Sequence, residues 1–156
     1  MLEVQIPGRG LFHFSHVFID FNGTIATDGI ISEPLKPLLS ELSEILEIII
    51  VTADNNGTVQ NQCKGLPVKV RIVSASEQDE QKARIMQETQ RDHTIAIGNG
   101  VVDVKMFNAA DVAICVLADE GCSPKALLAS DIVVRDMRNA LELLTHPHRL
   151  VASLRN

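Results

Sequence analysis

The sequence predicts an α/β domain with a parallel sheet covered on both faces by helices. Three observations carry that prediction. Short apolar strands alternate with amphipathic helices from residue 17 to the end of the chain. Runs such as "IIIVTA" and "VAICV" show no polar alternation, as expected of parallel strands buried on both sides. Glycine turns follow the strands "HVFID" and "TIAIG", where a strand hands over to a turn or helix.

The 156 residues suffice for one domain with a substantial core and are too few for two ordinary ones, so residues 1–156 read as a single domain. Hydrophobic residues make up 46%, while Trp and Tyr are absent and Phe is scarce, so the core must be aliphatic. The formal net charge of −6, from 20 acids and 14 bases, offers no basic face for nucleic acid. Three cysteines without close pairing suggest free thiols. No run reaches the roughly 18 apolar residues of a membrane span. "MLEVQIPGRG" lacks the charged start and apolar centre of a signal peptide. A cytoplasmic protein with no membrane partner is the expectation.

The elements follow in order. "LEVQI" and "LFHFS" alternate around "PGRG", which reads as an N-terminal β-hairpin over residues 1–16. His13 and His16 fall on it as sheet-surface or rim residues. "HVFID" is a short apolar strand ending in Asp20. "TIATDGIIS" places two short β pieces about Asp28-Gly29, a favoured hairpin turn, and so a small flap over residues 24–32. "SEPLKPLLSELSEILE" has leucines at helical spacing, with Ser32 or Glu33 as cap and Pro34 in the first turn. After "IIIVTA", "NNGTVQNQCKG" forms a weak helix closed by Gly65, with Asp54 a turn residue before it. "VKVRIVS" is a strand. "SEQDEQKARIMQETQRD" is a helix with Ser76 and Asp79 at capping-box spacing; Ala83, Ile85 and Met86 point inward. "TIAIGNG", "VVDVKMFNAA", "VAICV", "SPKALLAS" and "DIVV" continue the alternation. "RNALELLTHPHRLVASLR" closes the chain as a helix broken near Pro147.

In open parallel sheets, ligands bind beyond the carboxyl ends of the strands. Polar residues collect there. One strand offers Asp20, Asn22 and Thr24, another Thr52, and "TIAIGNG" offers Asn99 with Asp103 one turn on. Lys82 lies early in the preceding helix; Lys105 and Lys69 compete with it for a role at the site. A carboxylate at a strand tip is costly unless paired. This set suits phosphoryl transfer to a carboxylate: Asp20 attacks phosphorus as a covalent nucleophile. Two anions must meet, which calls for a hard dication; Mg²⁺ takes oxygen ligands and keeps several waters. Asp20, a backbone carbonyl near Asn22, and Asn99 or Asp103 could supply such a site. Thr52 would bond a phosphate oxygen, and Lys82 would neutralise charge on the nucleophile and on the transferring group. Gly23, Gly98 and Gly100 let backbone come close.

The order Asp-x-Asn-Gly-Thr, a strand-end Thr, Lys, then Gly-Asn-Gly-x-x-Asp resembles the haloacid dehalogenase (HAD) superfamily. Within it, the chain is similar to small proteins described as soluble P-type ATPases. The likeness covers almost the whole chain. It implies a Rossmann-like three-layer core, Mg²⁺ and an aspartyl-phosphate on Asp20. Two departures stand out. The usual second Asp of the first motif, which protonates the leaving group and then activates water, is Asn22. General acid–base help is worth about 10²–10⁴ in rate, so slow hydrolysis is expected. In the fourth motif Asn99 replaces the first acid and Val102 the usual Asn, so Mg²⁺ binding should be weak, with Asp20 and Asp103 its only carboxylates.

Related phosphatases often carry a cap domain. Between Thr24 and Thr52, and between Thr52 and Lys82, there is no room for one. A capless site implies a covering neighbour or a macromolecular substrate, so self-association through the hairpin and flap is expected. The implied partner is a phosphorylated small molecule or nucleotide. Two other readings stay open: a phosphoryl-accepting switch that holds its acyl phosphate, and a regulatory module that keeps the fold without the chemistry.

Overall fold

The computed structural model describes residues 1–53, 58–89 and 92–156. The expected turn residue Asp54 and the start of the helix at Asn55 lie outside the described residues. The strands are β1 (Leu2–Ile6), β2 (Gly10–Asp20), β3 (Ala26–Thr27), β4 (Ile30–Ile31), β5 (Glu47–Thr52), β6 (Lys69–Ile72), β7 (His93–Gly98), β8 (Val112–Val116) and β9 (Ile132–Val134). The helices are α1 (Leu35–Ser43), α2 (Thr58–Cys63), α3 (Gln78–Thr89), α4 (Val104–Ala109), α5 (Pro124–Ala129), α6 (Met137–Thr145) and α7 (Pro147–Leu154).

The main sheet runs β6-β5-β2-β7-β8-β9, with all of these neighbours parallel. β1 pairs antiparallel with the first half of β2, from Leu2 opposite Phe14 to Ile6 opposite Gly10. The layers are those expected of a parallel sheet. On one side the core takes residues from α1, α2, α6 and α7; on the other, from α3, α4 and α5.

β2 departs from the sequence expectation. "LFHFS" and "HVFID" are one 11-residue strand rather than two pieces. A bulge explains why the alternation looked broken. Opposite β7 the register jumps from Phe14–His93 to His16–Thr94, leaving Ser15 as the extra residue. Before the bulge, Phe14 faces the α1/α6 side; after it, Val17 and Ile19 do, while Phe18 faces the α3/α4 side. Asp20 follows the parity of Phe18, because side chains alternate along a strand.

Helix ends bring two more corrections. No side chain of Ser32 or Glu33 caps α1; Pro34 occupies the N-cap position, and the Leu35 N–H bonds the Ser32 carbonyl at 3.1 Å. The Ser76/Asp79 capping box is replaced by a longer reach: Ser74 N–H donates to Gln81 Oε1 at 3.0 Å, and the Ser74 and Ser76 hydroxyls bond each other at 2.8 Å. Gln81 is the fourth residue of α3, and its long side chain reaches back past the helix start to Ser74. The closing helix does break where proline demands it. α6 ends at Thr145, His146 leaves helical geometry, and Pro147 opens α7.

Beyond Asp20 the chain makes a tight turn, with Thr24 N–H and Ala26 N–H both bonding the Phe21 carbonyl. The β3–β4 hairpin then turns through Asp28 (φ 51°) and Gly29 (φ 76°). Two successive left-handed residues are what a two-residue hairpin turn requires, and Asp-Gly suits them.

Candidate active site

Asp20, Lys82 and Asp103 meet at the carboxyl end of the sheet. Lys82 Nζ lies 2.5 Å from Asp20 Oδ1 and 2.7 Å from Asp103 Oδ1. Lys82 and Asp103 are fully buried, and Asp20 is 6% exposed. The convergence follows from strand parity and helix spacing. Asp20 leaves β2 toward the α3/α4 layer. Lys82 shares its α3 face with Met86, four residues on, which packs in that same layer. Asp103 ends a 3₁₀ turn, Val101–Asp103, that leads into α4.

Asp103 is held tightly. Its Oδ2 accepts the Asn99 N–H at 3.1 Å and the Gly100 N–H at 3.0 Å, while Oδ1 faces Lys82. A side chain on Gly98 would put its Cβ 2.6 Å from Asp103 Cγ, so the strand must end in glycine for the acid to fold back against it. Gly23 has φ 76°, and a Cβ there would strike the Asn99 amide. These two glycines let the first and last motifs pack backbone against side chain.

Asn99 links three segments. Its Oδ1 faces the Thr24 hydroxyl at 3.2 Å, its Nδ2 donates to the Gly121 carbonyl at 3.0 Å, and its own carbonyl accepts the Ser123 N–H at 2.8 Å. The flap tip joins the same loop, with Asp28 N–H donating to Glu120 Oε2 at 3.1 Å. Sequence reading singled out Thr24 as polar but gave it no role, and it missed the 117–123 loop altogether. The partners lie 75 and 22 residues apart, and no spacing rule signals such pairs.

Thr52 ends β5, 2% exposed, beside the Asp20 strand. Asn22 differs from the rest. It is exposed, and among the described residues no side-chain partner holds its amide. The structure therefore brings Asp20, Lys82, Asp103, Asn99 and Thr24 into one bonded cluster. Lys105 is excluded from it: it is 45% exposed and pairs with Asp79 at 3.0 Å and with Glu80. Lys69 is also elsewhere, on Glu47 at 2.8 Å.

The electrostatics are unbalanced. Two buried carboxylates share one ammonium. Burial first, then the charge of Asp103, push the Asp20 carboxyl up to about 6, against the opposing pull of Lys82 and Thr24. Burial alone would lower the Lys82 pKa, but the two carboxylates outweigh it and hold the ammonium charged.

A second imbalance concerns hydrogen. The Thr24 hydroxyl lies 3.1 Å from Asp20 Oδ2 and 3.2 Å from Asn99 Oδ1, yet it has one proton to give. Two oxygens thus face one another across a hydroxyl that cannot satisfy both. Oxygen ligands and surplus negative charge are the chemistry that a hard dication requires, so these residues fit a divalent metal ion. Among the described residues no group of three or more His, Cys, Asp or Glu gathers to hold a metal, so its ligand set would need amide, backbone or water oxygens as well.

The fold is the Rossmann-like α/β fold of haloacid dehalogenase-type phosphatases, with an Asp-Lys-Asp cluster at its strand ends. No family model matches the chain. Its sequence is 43% identical over 79 residues to uncharacterized protein MJ0073 of Methanocaldococcus jannaschii, covering 48% of this chain and 85% of that protein. It is 24% identical over 123 residues to a soluble P-type ATPase-like phosphatase of the same organism, covering 77% of this chain and 45% of that protein, so the chain spans less than half of that relative. In structure it resembles 3-deoxy-D-manno-octulosonate 8-phosphate phosphatase from Moraxella catarrhalis, solved with magnesium, phosphate and KDO. The TM-score is 0.72 at 18% identity, covering 86% of this chain and 87% of that one. Among the described residues no helix is long and apolar enough to cross a membrane.

Proposed function

We propose that the chain is a slow Mg²⁺-dependent phosphohydrolase that works through an aspartyl-phosphate on Asp20. The observation that carries this reading is the buried bridge of Lys82 between Asp20 and Asp103. A buried strand-tip acid needs only one partner; a second buried carboxylate drawn to the same ammonium leaves surplus negative charge, which suits a site that takes up a dication together with a phosphate. The phosphatase relatives point the same way.

Asp20, Asn99, Asp103 and the Asn22 backbone carbonyl would hold Mg²⁺, which supplies positive charge so that two anions can approach. Asp20 carboxylate attacks phosphorus; the bond to the leaving oxygen breaks as the new O–P bond forms. Lys82 balances charge on the nucleophile and the transferring group, and Thr52 bonds a phosphate oxygen. The leaving oxygen takes its proton from water, because the Asn22 amide has none to exchange. Water then attacks the acyl phosphate, releasing phosphate and restoring Asp20. That second step lacks a general base at residue 22, which makes it slow. Leaving groups that need little acid assistance, acyl phosphates and nucleoside triphosphates, suit the site best on this ground alone.

A second reading, a regulatory module that accepts or binds phosphate together with a partner protein, is favoured by the amide at Asn22. Either way the open site suits coverage by another copy. One experiment separates the two. The chain is incubated with Mg²⁺ and a panel of acetyl phosphate, sugar phosphates and ATP, and both free phosphate and acid-trapped acyl phosphate are measured. Turnover with a trapped intermediate on Asp20 supports the hydrolase. Stoichiometric label without release supports a module that accepts phosphate, and neither signal removes the hydrolase and supports a module that keeps the fold without the chemistry.

A further inference from the structure

A cavity of about 580 Å³ opens at the carboxyl edge of the sheet, on the α1/α6 side of the acid cluster. That volume falls within the roughly 300–1,000 Å³ usual for small-molecule sites. Its walls come from four segments: the flap, the start of α1, the residues after β8, and the start of α6. The cavity meets the cluster through Thr24, which lines it and whose hydroxyl lies 3.1 Å from Asp20 Oδ2. The bond from Asp28 N–H to Glu120 ties the flap wall to the β8 wall.

The lining is distinctive for what it offers and for what it lacks. Ile25, Leu35 and Met137 form a buried aliphatic floor, while Ile30 and Leu117 stand exposed at the rim, 61% and 45%. Over that floor come a guanidinium, Arg135, and a carboxylate, Asp119, with the hydroxyls of Thr27 and Ser32. Among the described residues no ion pair or side-chain hydrogen bond engages Arg135 or Asp119. Of the four charged lining residues, Arg138 is paired with Glu142 and the Asp136 carboxylate caps α6, which leaves one base, Arg135, and one acid, Asp119, for a ligand. One donor group and one acceptor group, with hydroxyls beside them, are what the hydroxyl groups of a ligand bond. No aromatic side chain lines it, and the chain holds neither Trp nor Tyr, so it has no platform on which a nucleobase could stack.

Resting on the phosphohydrolase reading above, we propose that this cavity receives the leaving group, and that the leaving group is an aliphatic polyhydroxy alcohol, the organic part of a sugar or polyol phosphate, rather than a nucleoside. Asp119 accepts from its hydroxyls, Arg135 donates to them, and the carbon skeleton lies over Ile25 and Met137.

The test uses the full chain with Mg²⁺ and three probes: acetyl phosphate, whose leaving group is too small to reach the cavity; a set of C4 to C6 sugar and polyol phosphates; and ATP. At least one sugar or polyol phosphate should show a kcat/KM tenfold or more above ATP. In Asp119→Ala/Arg135→Ala the KM for that substrate should rise at least tenfold more than the KM for acetyl phosphate. ATP preferred over every sugar phosphate, or KM rising equally for all three probes, overturns the proposal. If acetyl phosphate itself is neither hydrolysed nor trapped, the phosphohydrolase reading fails. The cavity is then judged by calorimetry of the same sugar and polyol phosphates on Asp20→Asn. Binding weakened tenfold by the double substitution supports a polyol pocket, and absent or unchanged binding overturns it.

Discussion

Lys82 and Asp103 face each other at 2.7 Å with no accessible surface on either side chain. A pair so deeply buried leaves little choice to either member. Removing one partner strands the other in an apolar layer, at a cost of about 3–5 kcal/mol. Lys82→Met should therefore lower stability at pH 7 by that order, as read by denaturant unfolding. It should also abolish phosphate release. Part of the lost stability should return as the pH falls, because the stranded acids can then take up a proton.

The parent protein should show a pH dependence of definite sign. Asp20 titrates at about 6 when folded, against an ordinary 3.8 when unfolded. Between those values the folded chain binds the extra proton, so stability contributed by this group is greatest below about 4. It declines as pH rises through 6. Thermal melts of metal-free protein from pH 4 to 7 should show this decline, and Asp20→Asn should flatten it. Lys82, raised above 10.5, acts at the other end. Its contribution is complete below that value and is lost as the pH rises through its folded pKa.

Asn22→Asp restores an acid and base at an exposed, unencumbered position. Phosphate release should rise, by up to about 10²–10⁴, and the trapped acyl phosphate should become shorter-lived. A variant no faster than the parent would place the defect elsewhere in the site.

Gly23→Ala forces a side chain into left-handed backbone and into the Asn99 amide. A destabilisation of about 1–3 kcal/mol follows. Since Asn99 ties Thr24 to the Gly121 loop, Mg²⁺ affinity by calorimetry should weaken too. In the parent, Mg²⁺ should raise the melting temperature, and Asp20→Ala should remove that rise.

Much of this was legible in the residues alone, for particular reasons. Unbroken apolar runs betrayed the parallel strands, and polar residues at their carboxyl ends picked out Asp20, Thr52, Asn99 and Asp103. Lys82 was harder, because a lysine on a helix looks solvated until its neighbours Ala83 and Met86 are seen to be buried. β2 was read as two pieces because a bulge interrupts its alternation. The Thr24–Asn99–Gly121 chain and the cavity beside it were invisible, since they depend on loops meeting from opposite ends of the sequence.

The bulge at Ser15 has a consequence for chemistry as well as for shape. One unpaired residue decides which layer of the protein receives the carboxylate of Asp20. Upstream of it, Phe14 faces the same layer that Val17 and Ile19 face below, which uninterrupted alternation would forbid. Were Ser15 deleted, either the hairpin would turn its oily side to water or the acid would turn its back on the ammonium that steadies it. A position with no reacting atom thus acts as the switch-point between a working arrangement and its mirror.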